Sequence, residues 1–308
     1  MNYNFIEAGS NVKNKHKNLY LDVGNNLTNG IIDHHQLIDI QKSATRLVYE
    51  NKKFISNDID TITLHKSPDL DCVASSYLAN YYINNNCFPK FTDELCNFLD
   101  KVDFGYKTSN LISLSTIFSV IKSNCSNDET ILIKGHKLIE DLSNSGFDSG
   151  IKQNKYLNEM EYINNDYKIF EKDMQQSKIY KYTLENKRID GLALYKPKSI
   201  LFKYWARDIG YDLLIVKWSK KRTVISLKAD TILSLKGIGD RLNFLEEMKR
   251  RKKNIVINEE IREGYNIPDP WYDGRAHNYT IVDSPLNGTI LKFDQIISTI
   301  SFKYRIIL

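Results

Sequence analysis

The stretch LYLDVGNNLTNGIIDHHQ, residues 19–36, decides how the N-terminal part of this chain folds. Leu19-Tyr20-Leu21 is a short apolar, β-prone run, and it stops at the turn formers Asp22-Val23-Gly24-Asn25-Asn26. Gly30-Ile31-Ile32 repeats the pattern and stops at Asp33-His34-His35. Further on, Thr61-Ile62-Thr63-Leu64 is a third such run, ended by His65, and Ser67-Pro68-Asp69 marks a turn behind it. Between these runs, Ser43 to Glu50 has a helical pattern with Ser43 as N-cap. Cys72 to Ile83 has the small and apolar residues of a buried helix. Strands alternating with helices predict an α/β domain around a parallel sheet.

The residues that end these runs carry the chemistry. The first run ends in Asp22, the second in Asp33-His34-His35 and the third in His65, extended by Asp69 and Asp71 into His-x-x-x-Asp-x-Asp. In a parallel sheet such strand ends share one edge, where ligand sites of α/β proteins form. Several carboxylates gathered there repel one another unless cations neutralise them. A mixed oxygen and nitrogen ligand set suits Mn²⁺ or Mg²⁺, and the lack of thiolates argues against structural zinc. Each residue has a plainer reading when taken singly: Asp22 as a turn residue, His65 as a core histidine, Asp69 and Asp71 as helix N-terminal acids. Their joint placement favours the metal reading.

The motifs LDVGNNLTNGIIDHHQ, SATRLVYE and HKSPDLDCVASSYLA resemble those of the DHH phosphoesterase superfamily, which includes RecJ exonucleases, nanoRNases, MYG-type exonucleases and manganese pyrophosphatases. Asp-Val-Gly followed closely by Asp-His-His-Gln is most similar to the MYG-type branch. In those relatives His-x-x-x-Asp-x-Asp precedes Asp-His-His; here it follows, a permuted order. The resemblance implies two divalent metal ions, Mn²⁺ first and Mg²⁺ as the alternative. His65 and Asp69 correspond to ligands of the first metal, Asp71 and His34 to ligands of the second, and Asp22 to the carboxylate that bridges both. His35 corresponds to the histidine that contacts the substrate phosphate, and Asp33 to its orienting partner; these two are the expected catalytic residues. A fourth motif, a lone Asp on a later helix, fits FLDKVDFGY, with Asp103 ahead of Asp100.

Three segments are expected: a metal-binding catalytic domain at 1–150, a helical linker at 151–185, and a smaller α/β substrate-binding domain at 186–308. The linker expectation rests on a charged stretch at 153–185 without Pro or Gly, read as one long helix. In the last segment Asp190–Tyr195, Asp212–Trp218 and Thr223–Lys228 read as strands, and Gly239–Arg251 and Phe293–Ile300 as helices. PDPWYDGRAHNYTIVDSPLNGT stands where the family carries a glycine-rich segment with a histidine. Arg275 is the candidate phosphate grip and His277 a phosphate or sugar contact. Trp271 and Tyr272 are candidate stacking partners for a base. The basic runs Ser219–Arg222 and Lys249–Lys253 read as a hairpin turn and a solvated helix end.

Composition sets outer limits. The chain has 308 residues, 42% of them apolar and 26% charged, as in globular proteins. No run approaches the ~20 apolar residues that span a bilayer, so no membrane association is expected. Met1 to Ile6 lack a basic region followed by an apolar core, so no secretory signal is expected either. Four scattered cysteines fit reduced thiols in the cytoplasm. The net charge of +5 is too weak for a protein that tracks long nucleic acid. The expected substrate is therefore a short oligonucleotide or a small nucleotide-derived phosphodiester. An inorganic pyrophosphatase or polyphosphatase, and a non-catalytic nucleotide sensor, are the rival expectations. A homodimer is compatible with the sequence, which leaves the oligomeric state open.

Overall fold

The computed structural model describes residues 1–37, 41–106, 108–148, 154–184, 187–231, 233–261, 265–274, 279–303 and 305–306. The protein is mixed α/β, and the chain divides into two compact units, Met1–Asp166 and Tyr167–Leu308.

The first unit holds strands β1 (Asn2–Ile6), β2 (Asn18–Leu21), β3 (Leu27–Thr28) and β4 (Ile31–Ile32), helix α1 (Ala44–Glu50), strand β5 (Thr61–His65), and helices α2 (Leu70–Asn85), α3 (Thr92–Asp103), α4 (Leu114–Ser123) and α5 (Asp128–Leu142). The sheet order is β1-β5-β2-β4-β3. The first four of these run parallel, and β3 is antiparallel to β4. β5 lies between β1 and β2, and its residues Ile62 to His65 are all buried, as a central parallel strand requires.

Two strands lie outside the sequence expectation, and one of them, β3, is antiparallel. β1 lies in an Asn-rich segment whose apolar residues are too few to stand out; as an edge strand it needs only one covered face. β3 pairs with β4 across Asn29-Gly30, with Thr28 opposite Ile31. Asn-Gly between two β-prone pairs is a strong two-residue hairpin signal, and Gly30 adopts φ +74° there.

Helix α1 begins as expected, with the Ser43 hydroxyl accepting from the Arg46 amide. α2 begins at its N-cap Asp69, and its residues Leu70 to Ala79 are buried throughout. It packs against α1, α3, α5 and β5, which is why its sequence shows no polar face over those turns.

Helix α6 (Leu157–Met174) carries the chain across the division between the units. The second unit continues with β6 (Lys178–Leu184), β7 (Lys187–Tyr195), α7 (Phe202–Asp208), β8 (Leu213–Lys217), β9 (Thr223–Leu227), α8 (Ile238–Lys252), β10 (Tyr272–Gly274), β11 (Ile281–Asp283), α9 (Phe293–Lys303) and β12 (Arg305–Ile306). The expected continuous helix over 153–185 is thus corrected. From Lys178 the pattern is of period two, with Ile179 and Lys181 outward and Tyr182 buried, and this suits a strand. The sheet order is β10-β11-β9-β8-β7-β6-β12. β7 and β8 are parallel, joined through α7, and the remaining neighbours are antiparallel. Ser219–Arg222 turns the chain between antiparallel β8 and β9. Among the described residues no helix is long and apolar enough to cross a membrane.

Candidate metal centre

Parallel β2, β4 and β5 present their carboxyl ends along one sheet edge, and the strand-terminal residues gather there. Asp22 follows β2 directly in the left-handed region, at φ +56°. Gly24 completes this turn at φ +120°, where a Cβ would lie 2.7 Å from a Val12 methyl and 2.8 Å from an Ile31 methyl. The Asp-Val-Gly sequence is therefore a steric requirement of the turn that aims Asp22. Asp33, His34 and His35 follow β4, and His65 ends β5. Asp69 caps α2, Asp71 lies in its first turn, and Asp103 is the last residue of α3.

Asp22 sits at the middle. Its Oδ1 lies 3.4 Å from His34 Nε2 and 3.4 Å from His35 Nδ1, and its Oδ2 lies 3.5 Å from His65 Nε2. His65 Nε2 is 3.7 Å from Asp69 Oδ2, and His34 Nδ1 is 3.7 Å from Asp103 Oδ2. Three groups of side chains are close enough to hold a metal ion: Asp22 with His65 and Cys72; His34 with Asp71 and Asp103; and Asp22 with Asp33, His34 and His35. In each group the candidate ligand atoms lie within 4.8 Å of one another.

The hydrogen bonds behind the site fix its orientation. A carbonyl can only accept, so His34 Nδ1 donates to the Lys42 carbonyl at 2.9 Å, and His65 Nδ1 donates to the Lys66 carbonyl at 2.9 Å. With Nδ1 donated behind it, each ring turns its Nε2 toward Asp22, across gaps of 3.4–3.5 Å. Asp22 Oδ1 is buried without a hydrogen-bond partner. Positive charge offsets this buried carboxylate, supplied by protons on the imidazoles or by a metal ion in their place, and carbonyl-anchored imidazoles are the usual form of histidine metal ligands. These donors fit a divalent metal ion.

The ionisation of the site expresses the same need. Burial disfavours charge on His34, but the carboxylates of Asp103, Asp22 and Asp71 outweigh it and hold its pKa well above the ordinary imidazole range. Burial and the neighbouring carboxylate of Asp22 push Asp71 and Asp103 upward. His35 is raised to about 9 against its burial, chiefly by Asp33 and then Asp22. Asp33 goes the other way. Burial opposes its charge, yet His35, His34 and the Asn25 amide keep it ionised well below the usual carboxylate range. Its Oδ1 accepts from His35 Nδ1 at 2.7 Å, and its Oδ2 from the Asn25 amide at 2.6 Å.

Two aspartates have structural duties as well. Asp71 accepts from the Ala44 and Thr45 amides at 2.6 and 2.9 Å and from the Thr45 hydroxyl at 2.6 Å, so it ties the first turn of α1 to the site. Asp100, the second choice for the fourth motif, lies outside the metal groups. It accepts from the Ser43 amide at 2.9 Å and its hydroxyl at 2.7 Å and pairs with Arg46. Asp103, one helical turn on, is the one in the cluster.

The candidate substrate residues fare differently. Trp271 does not offer a stacking face. It is wholly buried in the core of the second unit beside Leu242, Val282 and Ile296, with its Nε1–H donated to Glu246 at 3.2 Å. Its indole is a core filler whose polar edge is satisfied internally, which the aromatic density of the sequence did not distinguish from a platform. Tyr272 is half-buried in β10. Arg275 and His277 lie outside the described residues. In the basic run at the end of α8, Arg250 is not solvated: it is buried, 3.6 Å from Glu246 and 3.4 Å from Asp269.

The sequence reading also missed members of the site. Cys72 joins Asp22 and His65, although it was read only as a helix residue. Its signal is its position three residues after Asp69, which places the two on one face of the first turn of α2. The Asn25 amide and the Lys42 and Lys66 carbonyls act through the backbone, which side-chain identity cannot reveal. No family model matches the chain, and neither a curated protein nor a solved structure matches it.

Proposed function

We propose that this chain is a metal-dependent phosphoesterase of the DHH type, using two divalent ions to hydrolyse short oligonucleotides or small nucleotide-derived phosphodiesters. The observation that carries this reading is the gathering of His34, His65, Asp69, Asp71 and Asp103 at one sheet edge with Asp22, whose buried Oδ1 lacks a hydrogen-bond partner. His65, Asp69 and Asp22 would hold one ion; His34, Asp71, Asp103 and Asp22 would hold the other. Ions bound there would lower the pKa of a water nucleophile and offset the charge of a phosphoryl group under attack.

The chain's own residues account for the remaining tasks. Asp33 holds the His35 ring through Nδ1, so the Nε2–H of His35 points away from that bond. The His35 side chain is 32% exposed, the most open of the three site imidazoles, and can donate to a phosphate oxygen. The Asn25 amide fixes Asp33 in turn, so His35 keeps one orientation through the reaction. A product alcohol or nucleotide leaves as the phosphorus–oxygen bond breaks.

The burial of Trp271 favours a second reading, hydrolysis of inorganic pyrophosphate or polyphosphate, because a base-binding site loses its largest expected aromatic. Both readings are tested by Mn²⁺-dependent turnover on dinucleotides, short RNA and DNA, cyclic dinucleotides, 3′-phosphoadenosine 5′-phosphate and pyrophosphate. The expected result is hydrolysis of a nucleotide substrate, reduced roughly 10²-fold or more in Asp22→Ala and His34→Ala. Turnover of pyrophosphate alone selects the second reading. Tight binding of a nucleotide without turnover would replace both with a sensor.

A further inference from the structure

Cys72 is wholly buried in the first turn of α2. A buried cysteine that merely fills space sits among apolar side chains; this one faces an imidazole and a carboxylate. Its Sγ, a nitrogen of His65 and an oxygen of Asp22 all lie within 4.8 Å of one another. Among the described residues no other cysteine belongs to such a group. A second observation points independently to a ligand there. Asp22 is 2% exposed; its Oδ2 faces the Nε2 of a His65 ring whose Nδ1–H is already donated to Lys66, and its Oδ1, without a hydrogen-bond partner, faces His34 and His35 on the other side of the carboxylate.

We infer that Cys72 is a sulfur ligand of the metal position formed by Asp22 and His65, and that this position selects a thiophilic divalent ion such as Zn²⁺, Fe²⁺ or Co²⁺ over Mg²⁺. The inference rests on the reading of the cluster as a metal centre and deepens it. The position offers one nitrogen, one sulfur and one carboxylate donor, and Asp69 Oδ2 lies 3.7 Å from the His65 Nε2. A donor set with a thiolate and an imidazole suits a borderline-soft ion, whereas Mg²⁺ requires octahedral oxygen coordination. On binding, the thiol proton leaves to solvent and the sulfur–metal bond takes its place. The His34, Asp71 and Asp103 group contains no sulfur, so the two positions differ in their preferred ion.

The test uses the full chain, stripped with a chelator, kept reduced with a phosphine and titrated with Co²⁺. The expected result is a near-ultraviolet sulfur-to-cobalt charge-transfer band. That band is lost in Cys72→Ser, which still takes up Co²⁺, and kept in the Cys87→Ser, Cys125→Ser double variant. Zn²⁺ affinity should fall at least ~10-fold in Cys72→Ser, with Mn²⁺ affinity little changed. X-ray absorption of the Zn²⁺-loaded unmodified chain needs no variant and should show a sulfur scatterer at about 2.3 Å. Uptake of Co²⁺ and Zn²⁺ with only nitrogen and oxygen scatterers, or a band that survives in Cys72→Ser, overturns the inference and leaves the metal centre standing. No uptake of either ion overturns both.

Discussion

Asp22 concentrates the energetic cost of the site in one side chain. It is buried, held in a left-handed backbone conformation, and supplies its oxygens to three imidazoles while one of them lacks a hydrogen-bond donor. Groups in this state destabilise a fold until a ligand arrives and mark sites where function outweighs stability. Asp22→Asn removes a charge without changing shape, so the metal-free variant should melt no lower than the parent. The parent should gain about 2.7 kcal/mol at an Mn²⁺ concentration one hundred times its Kd, and the variant should gain almost nothing. Thermal melts in chelator and in Mn²⁺ read both effects, and an Mn²⁺ shift surviving in Asp22→Asn would remove Asp22 from the centre. Asp33 invites the complementary experiment. Asp33→Asn leaves the metal groups of His65 and Asp103 intact but weakens the anchor of His35. Turnover should fall roughly 10–100-fold, with the Mn²⁺ melting shift retained.

At the scale of elements, two aspartates three residues apart on α3 divide structure from function. Asp100 satisfies the N-cap Ser43 and the Arg46 guanidinium, so it holds α1 to α3. Asp103 faces His34. Asp100→Ala should cost about 1–3 kcal/mol in denaturant unfolding and leave metal uptake intact, whereas Asp103→Ala should weaken uptake at little cost in stability. The reverse pattern would exchange their roles. The helix layer also contains a pH-dependent contact. His136 of α5 has its Nε2 2.8 Å from the Ser76 hydroxyl, with the rings of Tyr3 and Tyr77 beside it, and burial holds its pKa at about 4. An unfolded histidine titrates near 6.5, so between these values the unfolded chain binds the proton that the native state refuses. Stability is then fully present above about pH 6.5 and falls as the pH drops toward 4, by about 3 kcal/mol at most. Urea unfolding across this window should show a smaller acid loss in His136→Gln; equal losses would assign the slope to other groups. Helices α1 and α2 were legible because their caps are written in side chains, at Ser43 and Asp69. Strand β1 and the two-residue strand β3 were not, since they depend on pairing with β5 and β4 more than on their own apolar content.

For the whole molecule, legibility followed the kind of information each unit carries. In the first unit, the candidate site is written in charged residue types at the ends of apolar runs, so Asp22, His34, His65 and Asp71 could be placed together before any coordinates. In the second unit the same vocabulary misled. Trp, Arg, His and Tyr beside turn residues suggested a binding loop, but Trp271 joins Glu246 and Arg250 in a buried polar core network. Glu246 accepts from the Trp271 indole, from the Thr289 hydroxyl at 2.6 Å and from the Ile290 amide at 2.8 Å. Composition cannot tell this from a surface site, because the distinction lies in which face of α8 the sheet covers. The two roles of Trp271 make opposite forecasts. If it stacked on a base, replacing it would weaken substrate binding by about 1–3 kcal/mol, a KM rise of roughly 5- to 150-fold, at little cost in folding. As a core residue, Trp271→Leu should instead destabilise the protein by about 2–4 kcal/mol, from lost volume and a weakened Glu246 network. Well below the melting transition, KM for a dinucleotide should then match that of the parent. Denaturant unfolding and KM measured on the same preparation separate the two, and a raised KM with unchanged stability would return Trp271 to the substrate.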